Sequence, residues 1–165
     1  MKETASPINF DHIKRNKIMP LKIYLKPKEK MIVGSTVIQN GHTSSNLIIE
    51  NRTPILREKD ILNEKGANTP ARRIYYTIQM MYIDPDDEKR YAETYNNLVR
   101  QFLKAVPSAH DKIRKINDKV ISKDYYNALK KTRKLIKYET TICESLNSKK
   151  LPHHGDLVDS ALATY

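Results

Sequence analysis

The sequence predicts an α+β protein, with a small antiparallel β module of about five short strands followed by a C-terminal helical hairpin or bundle of three to four helices. Two observations carry that expectation. Between residues 21 and 58, short runs rich in β-branched residues alternate with strong turn punctuation. After Gly66 the apolar spacing changes from a period of two to that of a helix.

The elements follow in order. Residues 1–18 are polar and lack a sustained period, so they read as a disordered extension and as dispensable, with Met19 a candidate start. A weaker alternative is a short helix from Phe10 to Ile18 with Asp11 in its first turn. The β module occupies 19–65. Its strand candidates are LKIYL, KMIVG, STVIQN, NLIIE and PILRE, divided by Pro27, Gly34, Asn40-Gly41 and Asn51–Pro54. Alternation places Leu21, Ile23 and Leu25 on one face. About 45 residues bury too little core to stand alone, which calls for helices or a second subunit against the sheet. Residues 55–62 place Ile55-Leu56 and Ile61-Leu62 around the alternating charges Arg57-Glu58-Lys59-Asp60. That pattern predicts a terminal strand anchored at both ends, with Arg57 and Lys59 on one side of it.

The helical region covers 66–147. Thr69-Pro70 is an N-cap followed by proline at the first helical position. Ile74, Ile78 and Met81 then share a stripe, with Tyr75 and Tyr82 beside it. Asp84-Pro85 opens a second helix, whose acidic first turn (Asp86, Asp87, Glu88) suits the helix dipole. Tyr91, Tyr95, Leu98, Phe102 and Val106 follow at helical spacing until Pro107-Ser108. Ile113, Ile116 and Val120 begin a third stripe, which falters at Ser122–Asp124 and resumes with Leu129, Thr132 and Ile136. Residues 148–165 read as a frayed tail.

The composition narrows the functional class. The chain has 165 residues, with 30 Lys and Arg against 19 Asp and Glu, a net charge of +11. Such an excess favours a polyanionic partner, nucleic acid or an acidic membrane surface. No apolar run approaches the roughly 20 residues that span a bilayer, and no secretory signal precedes the β module. A single cysteine, Cys143, allows neither an internal disulfide nor a thiolate cluster, and on the apolar stripe of the last helix it reads as a small buried hydrophobe. A cytoplasmic protein without membrane partners is expected. There is no glycine-rich phosphate loop, no G-x-S-x-G and no H-E-x-x-H. His153-His154 lacks a carboxylate pattern and reads as tail. The expectation is a non-enzyme without a cofactor or metal.

Residues 111–137 carry ten Lys or Arg against three Asp, a local excess of seven positive charges. Lys123, Lys130, Lys134 and Lys137 cluster on one flank of the helical wheel, as a track for a phosphate backbone would require. Solvated lysines that only hydrate the helix are the bland alternative, and no acid follows Asp124 before Lys137 to favour it. Arg72-Arg73 beside Tyr75-Tyr76 could offer cations and rings to single-stranded RNA, but tyrosine at helical spacing more often packs.

The stretches MPLKIYLKPKEKMIVG, ILREKDIL and ANTPARRIYYTIQMMYID resemble the FlbT family of flagellar-biosynthesis regulators, from Met19 to about Leu146. The resemblance implies a post-transcriptional repressor that binds the 5′ untranslated leader of flagellin mRNA and promotes its decay. It also brings in FlaF, a companion protein of the same pathway, as a partner. The competing reading is a protein-interaction adaptor that works through FlaF or another flagellar component without touching RNA.

The first strands are also similar in pattern to the carbon storage regulator, L-x-L-x-x-x-x-G-E-x-x-x-I-G. Leu21, Ile23, Glu29 and Gly34 match, Lys28 stands where that family has glycine, and Val33 replaces isoleucine. That family's last strand carries an H-R-E motif whose arginine contacts RNA; Arg57-Glu58 matches its last two residues. This likeness implies a homodimer that exchanges strands, with the sheet at the interface. The candidate RNA contacts are therefore Arg52, Arg57 and Lys59 in the β module and Lys123, Lys130, Lys134 and Lys137 in the helices, with Glu58 and Asp60 steadying the strand cations.

Overall fold

The computed structural model describes residues 19–148. The extension 1–18, its alternative helix and the His pair of the tail lie outside the described residues. Residues up to Asp60 form one compact unit and residues from Ile61 a second, each described by itself.

The first unit has five antiparallel strands: β1 (Leu21–Leu25), β2 (Lys30–Val33), β3 (Thr36–Gln39), β4 (Ser45–Ile49) and β5 (Ile55–Arg57). They form two ladders, β1–β4 and β3–β2–β5, where the sequence suggested one sheet. Leu21 faces Ile49 and Ile23 faces Leu47, while Ile32 sits between Val37 and Leu56. Ile23, Leu25 and Met31 are the buried centre, with Val33, Ile38, Leu47, Ile49 and Ile55 packed around them. The alternation read from LKIYL is therefore the core face, although Leu21 at its end is exposed.

Glycine at Gly34 opens the two-residue turn between β2 and β3 with φ 61°, a conformation nearly free of cost only for glycine. Lys28, the position where the sequence departs from the glycine of the pattern above, is also left-handed, at φ 62°. Pro27 and Lys28 lie inside a turn closed by the Glu29 N–H on the Lys26 carbonyl (3.2 Å). Asn40 organises the other end of the unit. Its amide donates to the carbonyls of Lys26 (2.8 Å) and Thr43 (2.9 Å), and its Oδ1 accepts from the Gly41 N–H (2.9 Å) and the Ser45 hydroxyl (2.8 Å). The Asn40-Gly41 turn thus links two ladders, joining β3 to β4 without pairing them.

The second unit contains α1 (Pro70–Ile83), α2 (Glu88–Ala105), α3 (His110–Ile121) and α4 (Tyr125–Ser148). Thr69 caps α1 through its hydroxyl, which accepts from the Arg72 N–H (3.3 Å). Ile74, Ile78, Met81, Tyr95, Phe102, Ile113, Ile116, Leu129 and Thr132 are buried as the stripes predict, whereas Leu98, Val106, Val120 and Ile136 are half-buried and Leu135 takes the core place beside Ile136. Two buried polar side chains clamp distant segments to this core. The Gln79 amide accepts from the Leu62 N–H and donates to the Leu62 carbonyl, both at 2.8 Å. The Glu139 carboxylate accepts from the Thr69 hydroxyl (2.5 Å) and the Ala71 N–H (2.9 Å), which caps the start of α1 from α4.

Two expectations are corrected, and a third observation sharpens one. The terminal strand ends at Arg57, and Glu58–Asp60 turn as a short 3-10 segment, so Ile61-Leu62 do not extend it. Cys143 is exposed, because it lies near the end of α4, beyond the well-covered part of the stripe. The break at Ser122–Asp124 is a true corner: Lys123 is left-handed (φ 56°), with its N–H on the Val120 carbonyl (3.0 Å) and the Asp124 N–H on the Lys119 carbonyl (2.8 Å). This is a Schellman ending with lysine in the place usually held by glycine.

Candidate nucleic-acid interface

The β-unit candidates divide sharply. Arg57 is half-buried and engaged: its Nε and Nη2 donate to Glu29 Oε1 at 2.9 and 2.5 Å. Glu29 Oε2 accepts from the Lys26 N–H at 3.0 Å. That backbone N–H, followed by the guanidinium, lowers the Glu29 pKa below the ordinary carboxylate value. Glu58 takes no part; its carboxylate accepts from the Lys30 N–H at 3.4 Å. The expectation that Glu58 steadies Arg57 therefore gives way to Glu29, which lies 28 residues away. Because the strand stops at Arg57, Arg57 and Lys59 do not project from a common strand face. Lys59 and Arg52 are exposed in the turn and the approach to β5.

The helical candidates also divide. Lys123 sits in the corner rather than on the α4 wheel, and its Nζ donates to Glu88 Oε2 at 2.9 Å. The same carboxylate accepts from the Tyr125 hydroxyl at 2.6 Å. Those two donors, the tyrosine first, lower the Glu88 pKa, while burial and then the carboxylate raise that of Tyr125. Lys119 pairs with Asp124 at 2.9 Å, and Arg114 stands 3.9 Å from Asp111. Three of the five cations from Lys112 to Lys123 thus have a carboxylate partner, while Lys112 lies over the Tyr138 ring, 4.1 Å from its centroid, and Lys115 has no ion pair among the described residues.

Lys130, Lys134 and Lys137 are different. All three are exposed on α4, within roughly 60° of one another at 100° per residue. They lie opposite the buried stripe of Ala128, Thr132, Leu135 and Glu139. Among the described residues none of the three has a carboxylate within ion-pair distance. This face presents cations to solvent without internal neutralisation.

One neighbour escaped the sequence reading. Tyr126, the second residue of α4, is 42% exposed, with Lys130 Nζ 4.3 Å from its ring centroid. Tyr75 and Tyr95, by contrast, are buried, as packing tyrosines should be. Only the wheel of α4, once its start at Tyr125 is known, separates Tyr126 from the rest. Among the described residues no cluster of three His, Cys, Asp or Glu is placed to hold a metal. No described helix is long and apolar enough to cross a membrane.

Residues 21–143 match the family described as flagellar protein FlbT. The chain belongs to the FlbT family. It is 48% identical over 122 residues to the probable flagellum biosynthesis repressor protein FlbT 1 of Bradyrhizobium diazoefficiens, covering 73% of this chain and 83% of that one. Against the probable repressor FlbT of Rhodopseudomonas palustris it is 41% identical over 121 residues, covering 73% and 95%. Against the flagellum biosynthesis repressor protein FlbT of Caulobacter vibrioides it is 38% identical over 123 residues, covering 73% and 87%. No solved structure matches the chain. The FlbT match takes in both units, including Arg57 and the three exposed lysines of α4.

Proposed function

We propose that this protein represses flagellum biosynthesis after transcription, by binding the 5′ untranslated leader of flagellin mRNA and promoting its degradation. The observation that carries the RNA contact is the uncompensated face of Lys130, Lys134 and Lys137. A phosphate backbone laid along that face releases counterions from each neutralised phosphate, so binding should weaken steeply with salt. Three such contacts to a single strand correspond to a loss of roughly 20-fold between 50 and 200 mM salt. Titration of the purified protein into flagellin leader RNA across that range tests the proposal; no binding at any salt retires it.

A second reading has its own observation. A cavity of about 370 Å³ opens on the helical unit between Leu98, Phe102, Val106, Ile142, Cys143 and Leu146. An adaptor that acts through FlaF or another flagellar component would use an apolar surface of this kind. Salt-insensitive binding of FlaF together with no RNA binding would favour it.

A homodimer is part of the proposal. Tyr24 and Ile48 are diagonal neighbours on one face of the β1–β4 ladder, 54% and 59% exposed. A second copy would cover them and enlarge a small core. Light scattering that gives 19.2 kDa at every concentration removes the dimer.

A further inference from the structure

We infer that the α4 face takes unpaired RNA rather than duplex, with Tyr126 as the platform on which a base stacks and Lys130 as the cation that yields its place. The inference rests on the RNA reading above and adds the class of strand.

The first ground is the ring's situation. Tyr126 is on the same side of α4 as Lys130, Lys134 and Lys137, all four falling within roughly 80° at 100° per residue. Several tyrosines of this unit have a hydroxyl partner: Tyr91 donates to Asp84, Tyr95 to Asn117, Tyr125 to Glu88 and Tyr138 to Ser108. The Tyr126 hydroxyl makes no hydrogen bond to the described residues. With 42% of its surface open to solvent, the residue keeps area that a base could cover. Tyr82 braces it from one side, ring centroids 6.4 Å apart and planes 40° from parallel.

The second ground is the lysine above it. An exposed ammonium over a tyrosine ring is a weak contact, and a base stacked on an aromatic ring is a stronger one. Exchange of one for the other frees the Lys130 ammonium to swing towards the phosphate of the stacked nucleotide. Lys134 lies one turn further, about 6 Å along the axis, and Lys137 about 10 Å beyond Lys130, so the phosphates that follow meet a cation in turn. A duplex keeps its bases stacked on each other and cannot present a free π-face to the ring.

The chain contains no tryptophan, so Tyr126→Trp places one reporter at the site without background. We expect single-stranded flagellin leader RNA to quench its emission, and the same sequence annealed to its complement to leave it unchanged. Tyr126→Leu should weaken single-strand binding by about 5- to 150-fold, and Tyr126→Phe, which keeps the ring, should restore most of it. Lys134→Ala should flatten the salt dependence yet leave the tryptophan quenched at saturating RNA. If RNA binds with the salt slope lowered by Lys134→Ala, but emission is unchanged and Tyr126→Leu binds normally, the stacking platform is overturned and the RNA reading stands. Equal affinity for single strand and duplex overturns it too. If the unaltered protein binds neither form, both fall together.

Discussion

Each unit is tied together by one glutamate, and the two glutamates do different things. Glu29 in the β unit lies beside the surface and holds a turn with one oxygen and Arg57 with the other. Glu139 in the helical unit is buried and spends both oxygens on donors at the start of α1, leaving the lysines of its own helix alone. The β unit therefore uses its carboxylate to neutralise the cation that sequence pattern singled out, whereas the helical unit leaves Lys130, Lys134 and Lys137 facing water. Counting basic residues does not separate these cases. What separates them is where each acid is sent by the fold.

The largest effect expected is at Glu139. Glu139→Ala removes the acceptor for two donors and leaves the Ala71 N–H without its partner in a buried place. Loss of charge-assisted hydrogen bonds at such a site costs about 3 kcal/mol. Urea unfolding of the helical residues should show that shift, with Glu139→Gln intermediate because an amide oxygen still accepts one donor. A midpoint unchanged by Glu139→Ala would remove the clamp from the account and make the apolar stripes alone responsible for the docking of α4 on α1.

The next pair of variants sets the two kinds of cation against each other. Lys134→Ala should reduce the salt slope of RNA binding by about 0.7, one single-strand phosphate contact, and leave the melting temperature in place. Arg57→Ala should lower the melting temperature, because Glu29 loses a partner it meets at 2.5 Å. If Arg57 reads RNA through its remaining exposure, Arg57→Ala also weakens leader binding by about 1–3 kcal/mol, a base-specific loss that the salt slope does not register. Binding and melting measured on the same preparations decide between them. Unchanged affinity with a lowered melting temperature leaves α4 as the reader and makes Arg57 structural.

How much of this was legible beforehand follows from distance along the chain. Thr69-Pro70, Pro107 and the strand punctuation act within one turn, so they could be read locally. The alternation of β1 and the stripe of α1 became core faces as expected, because burial on a helix or strand follows a fixed period. The Glu29–Arg57 pair joins residues far apart in sequence, and no pattern announces it. The ladder pairing of β1 with β4 is equally non-local. Lys123 misled for a different reason: a left-handed helix ending is usually marked by glycine, and here a lysine occupies it. The faltering stripe at Ser122–Asp124 marked an interruption but not a helix end, so the wheel ran through Lys123 and the exposed position of Tyr126 in the first turn of α4 stayed out of view.

Acid should expose the β unit's dependence on Glu29. Its pKa is lowered in the folded protein, chiefly by the Lys26 N–H and then by Arg57. A carboxyl depressed in this way contributes stability that is complete above its ordinary value near 4.5 and is lost as the pH falls through the folded value. Glu88 and Asp124 are lowered as well, so the helical unit carries the same sign. Glu29→Gln should therefore be less stable than the parent near neutral pH, with the two melting temperatures drawing together as the pH falls below 4.5 and through the folded value. Parallel curves across that range would mean that the proton does not act through Glu29.

The smallest effect sharpens the difference between a cation held by the fold and one left facing solvent. Lys123 is left-handed, which disfavours any residue with a β-carbon by about 1 kcal/mol. Its ion pair with Glu88 is mostly exposed on the lysine side, at 69%, and pairs of that kind return a few tenths of a kcal/mol. Lys123→Gly removes the strain and the pair together, so the corner should gain roughly 0.5 kcal/mol. Glu88 keeps its second donor, the Tyr125 hydroxyl, and is not stranded. The same substitution removes one positive charge from the basic segment, as Lys134→Ala does. If RNA tracks the free face of α4 alone, Lys123→Gly leaves the salt slope near that of the parent while the melting temperature rises slightly. A slope reduced as much as by Lys134→Ala would show that RNA displaces Glu88 from Lys123 and that the track continues round the corner onto the end of α3.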